Sequence, residues 1–248
     1  MAIGVIVFAC VLSGAFFGMF IRAALPEHHL SADTKDVVKI AIALIATMAA
    51  LVVSLLISSA KTAYDTRGSE LVQMSVDIVL LDRVLAHYGP ETADARSLLR
   101  QSVTAAIDRF WPTDGRQPAG FDQAASPAET LYDKIQELSP RTDSQRSLQA
   151  QALQAAMELG RIRFLLIEQS GHSIPMAFLV ILIFWLTIIF ASFGLFAPAN
   201  ATVRSVFVVC SLSISGAIFL ILELDRSFEG LIQISSVPLR QALAQLGK

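Results

Sequence analysis

Residues 40–60 of the chain read IAIALIATMAALVVSLLISSA, an uninterrupted run without a charged side chain. A helix rises about 1.5 Å per residue, and the hydrocarbon core of a bilayer is about 30 Å thick. A run of this length and composition therefore predicts a membrane-spanning helix. Three further uncharged runs lie at residues 1–21, 173–203 and 205–222. Because lipid offers no hydrogen-bond partner to an exposed backbone, these runs are also predicted to be helices.

The sequence thus predicts an all-α fold with four transmembrane helices. The spans are expected at about residues 2–22, 38–60, 174–197 and 203–223. They divide the chain into a first transmembrane hairpin at 1–60, a helical segment at 61–172, a second hairpin at 173–225 and a tail at 226–248. The helical segment is expected to form a cytoplasmic stalk inserted between the second and third spans.

Composition supports a membrane protein. Apolar residues make up 54% of the chain and charged residues only 16%, below the roughly 25% that is usual in soluble domains. The net charge of −2 offers no electrostatic surface for nucleic acid. Cys10 and Cys210 lie inside predicted spans and are interpreted as small apolar residues. The first span lacks a preceding basic region and is interpreted as a retained helix, with signal-peptide cleavage near Ala24 as the alternative.

The distribution of Lys and Arg predicts the orientation. On the side of the inserted segment and the tail, seven basic residues lie near the spans or in the tail: Lys61, Arg67, Arg161, Arg163, Arg226, Arg240 and Lys248. Four lie on the other side: Arg22, Lys35, Lys39 and Arg204. Since basic residues favour the cytoplasmic side, both termini and residues 61–172 are expected in the cytoplasm, with the spans in the inner (plasma) membrane.

Two apolar seams run through the inserted segment. The first consists of Leu71, Met74, Ile78, Leu81, Leu85 and Tyr88, and the second of Leu148, Ala152, Ala155, Leu159, Ile162 and Leu166. Both follow the alternating spacing of three and four that packs one helix against another. Because no proline separates residue 60 from residue 88, the second span and the first seam are expected to form one helix. The spacing permits the seams to pack within one chain or between subunits.

Candidate functional residues occur in three groups. Thr47, Leu51, Ser54 and Ser58 form a mildly polar stripe on the second span, which suits either a pore lining or hydrogen bonding between helices. Charged clusters at the span boundaries comprise Lys61, Asp65, Arg67 and Glu70, and Glu223, Asp225 and Arg226. They are interpreted as structural ion pairs, with a solvated helix end or a pore mouth as the alternatives. His172 and Pro175 mark the start of the third span, and His28 and His29 are interpreted as solvated loop residues.

Gly14-x-x-x-Gly18 in the first span predicts close helix packing and, with the first seam, favours self-association. No glycine-rich phosphate loop, nucleophile elbow or cysteine pair occurs in the sequence. We therefore expect no catalytic, cofactor-binding or metal site and do not expect an enzyme.

Three strings carry a family resemblance. They are SSAKTAYDTR at 58–67 together with LDRVLAHYGPE at 81–91, GHSIP at 171–175, and LELDRSFEGLI at 222–232. The chain resembles the bacterial bestrophin-like membrane proteins, a family of unassigned function with a distant relation to bestrophins. Bestrophins are pentameric ion channels whose four-helix subunits carry a helical cytoplasmic region. The chain lacks their acidic calcium clasp, and residues 40–60 contain no aromatic side chain of the kind that narrows the bestrophin pore.

The resemblance implies a homo-oligomer, five subunits by analogy, that sits in the lipid bilayer and passes small inorganic ions. The alternative is a non-conducting membrane protein whose cytoplasmic helices bind a partner or scaffold a complex. A proton channel of the motor-stator type shares the four-span plan, but the sequence has no carboxylate deep inside a span. Nucleic acid is not an expected partner.

Overall fold

The computed structural model describes residues 2–26, 32–111, 127–168, 174–198, 200–228 and 230–247. Within these ranges the fold is all-α. The helices are α1 (Ala2–Ala24), α2 (Ala32–Tyr88), α3 (Ala93–Phe110), α4 (Pro127–Gln136), α5 (Asp143–Glu168), α6 (Met176–Phe196), α7 (Ala201–Asp225) and α8 (Val237–Gln245). Four of them, α1, α2, α6 and α7, are long and apolar enough to cross a membrane, so the four predicted spans are confirmed as helices.

Helix α2 is a single helix of 57 residues, which confirms that the second span and the first seam are continuous. It ends at Gly89, whose φ of 137° lies in a region that favours glycine. Pro90 then opens a 3-10 turn, Pro90–Thr92, that leads into α3. The Gly-Pro pair therefore terminates α2 because glycine supplies the backbone conformation and proline cannot continue the hydrogen-bond ladder.

The chain divides into two compact units. We call Met1–Thr62 with His172–Asp225 the membrane unit, and Ala63–Gly171 with Arg226–Lys248 the helical unit. Within the membrane unit, α1 packs closely against α6 and α7. Its buried residues Val7, Val11 and Ala15 share one apolar cluster with residues of α6 and α7 such as Leu182 and Ile218.

Glycines allow α1 and α6 to approach closely. A Cβ atom added at Gly14 would lie 2.8 Å from the carbonyl oxygen of Thr187, and one at Gly18 would collide with the carbonyl of Ala191. On the opposing helix, a Cβ at Gly194 would collide with the carbonyl of Ala15. The predicted close packing of Gly14-x-x-x-Gly18 is confirmed, but its partner lies in the same chain. This motif is therefore occupied by α6 and does not provide a surface for self-association.

The membrane part of α2 buries only a narrow stripe. Ile42, Ala49, Leu56 and Ala60 belong to the apolar cluster of the membrane unit. Their spacing of seven, seven and four keeps them on one side of the helix. Large apolar side chains on the other sides, including Ile40, Leu44 and Leu51, are exposed. In a membrane protein such a surface is available for contact with lipid or with another protein segment.

The core of the helical unit shows whether the two seams pack within one chain or between subunits. Leu71, Ile78, Leu81 and Leu85 of α2 are buried in one cluster with residues of the other helices of this unit. From α3 these are Leu99, Val103 and Ile107, from α4 Leu131 and Ile135, and from α5 Ala152, Leu159, Ile162 and Leu166. Both seams therefore pack within a single chain.

The tail is part of the same core. Phe228, Ile234, Leu239, Ala242 and Leu246 are all buried, and the last three lie on or next to α8. The ring centroid of Phe228 lies 5.3 Å from that of Phe110 and 5.9 Å from that of Trp111. From the sequence, residues 226–248 are predicted as a tail with no assigned helix. In the structure these residues form part of the helical unit.

Candidate functional site

The predicted polar stripe of α2 lies on its exposed side. Thr47, Leu51, Ser54 and Ser58 are all exposed, with Leu51 at 67%. At about 100° per residue, this stripe lies opposite the buried stripe through Ala49. The packing of the chain thus leaves these side chains available to an aqueous path, to lipid or to another subunit.

Two hydroxyl groups of this stripe, those of Thr47 and Ser54, bond to their own helix. Thr47 Oγ1 donates to the carbonyl of Ala43 at 2.8 Å, and Ser54 Oγ donates to the carbonyl of Ala50 at 2.9 Å. Each hydroxyl oxygen keeps acceptor capacity directed away from the helix axis. A Ser or Thr bonded in this way needs no partner helix, yet it still presents a polar oxygen to a passing cation or water molecule.

Two buried serines of α7 differ from the hydroxyl groups of this stripe. Ser215 is buried, and its Oγ donates to the carbonyl of Gly4 on α1 at 2.5 Å. Ser211, one turn earlier, is also fully buried, and its Oγ has no hydrogen-bond partner among the described residues. The sequence analysis missed this pair, although its spacing of four opposite a glycine-containing helix was a usable signal. The hydroxyl of Ser215 therefore links α7 to α1, and both buried serines are distinct from the exposed stripe of α2.

The boundary clusters fall in both units. In the membrane unit, Glu223 and Asp225 are buried at the end of α7, and Lys61 is exposed. In the helical unit, Arg67 is only 3% exposed and its Nη1 donates to Ser227 Oγ at 2.8 Å. The other cluster residues in the helical unit are less buried: Glu70 is half-buried, and Asp65 and Arg226 are exposed. The ion pairs expected between the two clusters remain a prediction.

A charged network that the sequence analysis did not identify ties the tail to α2 and α3. Asp82 is 2% exposed and accepts two hydrogen bonds from Arg96, from Nε at 2.7 Å and from Nη2 at 3.0 Å. The backbone N–H of Gly247 donates to the same carboxylate at 3.2 Å. Arg100 adds a bond from Nη1 to the carbonyl of Leu246 at 2.8 Å. The position of a charged residue, Asp82, directly after the seam residue Leu81 could have indicated this network from the sequence.

The surroundings of Asp82, which lies outside the uncharged run 40–60, shift its pKa. Burial by itself raises the pKa of this carboxyl, because a charge is poorly solvated away from water. The hydrogen bonds from Arg96 and from the N–H of Gly247 outweigh burial, so the pKa of Asp82 lies below its ordinary value. The carboxylate is therefore ionised near neutral pH and forms a charge-assisted, bidentate pair with Arg96.

A family model described as a bestrophin-like domain matches residues 9–239 of the chain. The chain belongs to the bestrophin-like family. No curated protein and no solved structure matches it. The resemblance drawn from three short strings is thus confirmed, and the match also includes most of the first span and the connecting helices α3 to α5.

His172 and Pro175 of this bestrophin-like protein are predicted to mark the start of the third span, which is α6. Pro175 lies at the N-cap, immediately before Met176, with φ −63° and ψ 123°. A proline here has no N–H to leave unpaired and does not disturb the helix that follows. His172 lies outside the described residues, as do His28 and His29. At the start of α7, Asn200 Oδ1 accepts a hydrogen bond from the N–H of Val203 at 2.9 Å and so caps that helix.

The described part of this bestrophin-like protein contains no group of three or more His, Cys, Asp or Glu side chains placed to hold a metal ion. Apart from the indole of Trp185 and the thiols of Cys10 and Cys210, the polar side chains inside its described spans are hydroxyls, and Asp, Glu, Lys and Arg lie at span ends or in the helical unit. Such an arrangement can offer weak, neutral ligands to an ion or to water along α2. Of the buried charges at the span boundaries, Arg67 bonds to Ser227, and a structural role of Glu223 and Asp225 remains a prediction.

Proposed function

We propose that this bestrophin-like protein is a subunit of a homo-oligomeric membrane pore for small inorganic ions. The observation that carries the proposal is the exposed stripe of Thr47, Leu51, Ser54 and Ser58 on α2. Closed rotational symmetry is the usual arrangement of homo-oligomers, and it would bring the same face of α2 from each copy to a common axis. The resemblance to bestrophins suggests five copies.

The chemistry of the stripe supports a permeation path of low affinity. Hydroxyl oxygens at Thr47 and Ser54 can replace part of the hydration shell of an ion without binding it tightly. Leu51 lies between them and would form a ring of apolar side chains, a constriction of the kind that gates by excluding water. Residues 40–60 contain no charged side chain. The proposed path therefore has no fixed charge that would bind a passing ion tightly.

The proposed topology follows the distribution of basic residues. The spans form two hairpins, α1 with the membrane part of α2 and α6 with α7, in the inner (plasma) membrane. Both termini, the inserted segment and the tail lie in the cytoplasm. The seven basic residues near the spans or in the tail, against four on the other side, support this orientation.

A cysteine-accessibility experiment tests the pore. Ser54→Cys is introduced into a background in which Cys10 and Cys210 are replaced by Ala, and the protein is reconstituted into liposomes. A positively charged, water-soluble thiol reagent should modify the new cysteine and reduce anion or cation flux, because modification requires a water-filled path. Native mass measurement of the same preparation gives the number of subunits.

Ser213→Cys is the matched control. Ser213 is an exposed serine of α7 whose Oγ donates to the carbonyl of Val209 at 2.9 Å, the same local bond that Ser54 makes. It lies outside the stripe, so reagent should leave flux unchanged in this variant. A monomeric mass, or equal behaviour of the two variants, would contradict the pore.

A second candidate function is a non-conducting membrane protein whose helical unit binds a partner. Exposed apolar side chains on α2 and α5, namely Val72, Val76, Leu80, Met157 and Phe164, favour it. Surfaces of this kind in an aqueous compartment often mark protein contacts. Absence of flux from liposomes that contain verified, assembled protein would support this candidate over the pore.

A further inference from the structure

An open apolar groove of about 600 Å³ lies in the membrane unit, where α2 begins, α6 ends and α7 begins. Its walls include Ala43 and Ala46 of α2, Phe193 and Phe196 of α6, and Val206 and Phe207 of α7. Its volume falls within the range of about 300–1,000 Å³ that is usual for ligand sites. Small side chains on α2 and large ones on α6 leave a space that a flexible apolar chain can enter.

The contrast with α1 shows that this space is not a general feature of the membrane unit. Glycines bring α1 into backbone contact with α6. Along the groove, by contrast, α2 has small residues without such a close approach, and Ala43 stays exposed. Small residues in a membrane helix usually permit close packing. Here they border an open groove, which points to an occupant other than a helix of the same chain.

Two basic residues, Lys39 and Arg22, contact the groove or its lining. Lys39 lines it directly, and Arg22 donates a hydrogen bond from Nη1 to the carbonyl of Ala197, another lining residue. Arg204 follows the lining residues Thr202 and Val203 in sequence. Residues 22–39 and 192–207 contain four basic residues and three acidic ones, and of the acidic residues the structure describes the side chain of Asp36.

Asp36 does not cancel the positive charge of Lys39. Asp36 pairs with Lys39 at 3.0 Å, but both side chains are about two-thirds exposed, at 69% and 68%. An exposed pair of this kind contributes little free energy, so Lys39 can exchange Asp36 for another anion at small cost. The hydroxyl of Thr202, also a lining residue, supplies a neutral hydrogen-bond donor nearby.

We propose that this groove binds an anionic phospholipid, with an acyl chain along the apolar walls and the phosphate at Lys39. Lipid tails are as apolar as leucine, so an acyl chain gains little by leaving the bilayer for the groove. Selectivity therefore comes from the headgroup, whose phosphate meets Lys39, with Arg22 bonded to the lining residue Ala197. The inference depends on the membrane location of these helices and is independent of whether the protein conducts ions.

The test measures lipid retention by native mass spectrometry of the full chain in detergent. The purified protein is offered phosphatidylglycerol or phosphatidylcholine with the same acyl chains. Phosphatidylglycerol should be retained several-fold more strongly. Lys39→Gln should weaken its retention about fivefold, because one basic residue near a membrane surface contributes about 1 kcal/mol to anionic lipid binding. Phosphatidylcholine retention should change little in this variant.

Two matched controls separate the groove from general effects. Lys61→Gln removes the same charge at the other end of the membrane part of α2 and should leave lipid retention unchanged. Ala43→Trp fills the groove and should abolish retention of phosphatidylglycerol, whereas Ala41→Trp, an exposed position of α2 that does not line the groove, should not. Thermal unfolding of each variant shows that the fold is intact.

Several results would overturn the proposal. Equal retention of the two lipids would show that the basic residues do not select an anionic headgroup. Equal effects of Lys39→Gln and Lys61→Gln would show that the lipid is attracted by the charge of the whole protein and not by the groove. If Ala43→Trp disrupts the oligomer while lipid retention persists, a second copy of the chain occupies the groove. Absence of ion flux from liposomes that contain the unmodified protein, together with the expected lipid retention, would contradict the pore but support the lipid site.

Discussion

At the scale of single residues, Asp82 is held from two directions by Arg96 and by the backbone of Gly247. Asp82→Ala would remove both contacts and leave the partly buried guanidinium of Arg96 without its counter-charge. We expect a loss of about 2–4 kcal/mol in the free energy of unfolding. The midpoint of thermal unfolding of the purified protein in detergent should fall accordingly.

Asp143→Ala is the control for this variant. Asp143 pairs with Arg146 at 2.8 Å, but its side chain is 96% exposed, so its loss should leave the unfolding midpoint almost unchanged. The effect of Asp82 should also depend on pH. Because its pKa is lowered in the folded protein, its stabilisation is present above the ordinary value of 3.8 and is lost as the pH falls through the lower folded value. Equal midpoints for the two variants at neutral pH would contradict the proposed role.

Asp225 and Arg226 offer a second comparison between neighbouring residues. Asp225 is 5% exposed at the end of α7, whereas Arg226 is exposed. Removing one member of a deeply buried charge pair costs about 3–5 kcal/mol, and much less when the pair is solvated. Asp225→Ala should therefore lower the yield and thermal stability of the assembled protein more than Arg226→Ala does. If Asp225→Ala assembles normally but alters ion flux, the residue belongs to a pore mouth.

At the scale of secondary-structure elements, the contact between α1 and α6 depends on glycine. Gly18→Val would place side-chain atoms against the backbone carbonyl of Ala191, which cannot move without separating the helices. Overpacking of this kind costs about 1–3 kcal/mol or more. The thermal midpoint in detergent should fall, whereas Gly216→Val should have a small effect because nothing lies within 4 Å of a Cβ at Gly216. Similar losses for both variants would argue against a specific α1–α6 contact.

The tail helix α8 provides the other prediction at this scale. Leu239 is 1% exposed in the core of the helical unit, so Leu239→Ala should destabilise the protein by about 2–5 kcal/mol. Val237, on the same helix, is 51% exposed, and Val237→Ala should be nearly neutral. Limited proteolysis of the intact protein should cut the Leu239→Ala tail faster than the unmodified tail. An unchanged cleavage rate would mean that α8 is not held in the core.

At the scale of the whole molecule, the proposed topology predicts which surfaces reach each side of the membrane. Ala150 of α5 and Ala201 of α7 are both exposed helical positions, and each can be changed to Cys in the background without Cys10 and Cys210. In intact cells, a membrane-impermeant thiol reagent should label Ala201→Cys and not Ala150→Cys. After the membrane is permeabilised, both should react. The reverse pattern in intact cells would overturn the orientation.

The sequence alone determined the features that depend on local patterns. Uncharged runs identified four helices long enough for a membrane, because span length is fixed by the bilayer and helix rise. The alternating seams identified the buried faces of α2 and α5, since spacings of three and four place residues on one side of a helix. The Gly-Pro pair after Tyr88 marked the end of α2 because its effect on the backbone is local.

Tertiary structure decided which of these surfaces meet. It showed that Gly14 and Gly18 face α6, that both seams pack within one chain, and that the tail enters the core of the helical unit. It also brought Asp82 to Arg96, fourteen residues away, and to Gly247, 165 residues away. Periodicity records that a residue has a buried side but not the identity of its neighbour. That neighbour follows from the packing of distant segments, which a single sequence read locally does not encode.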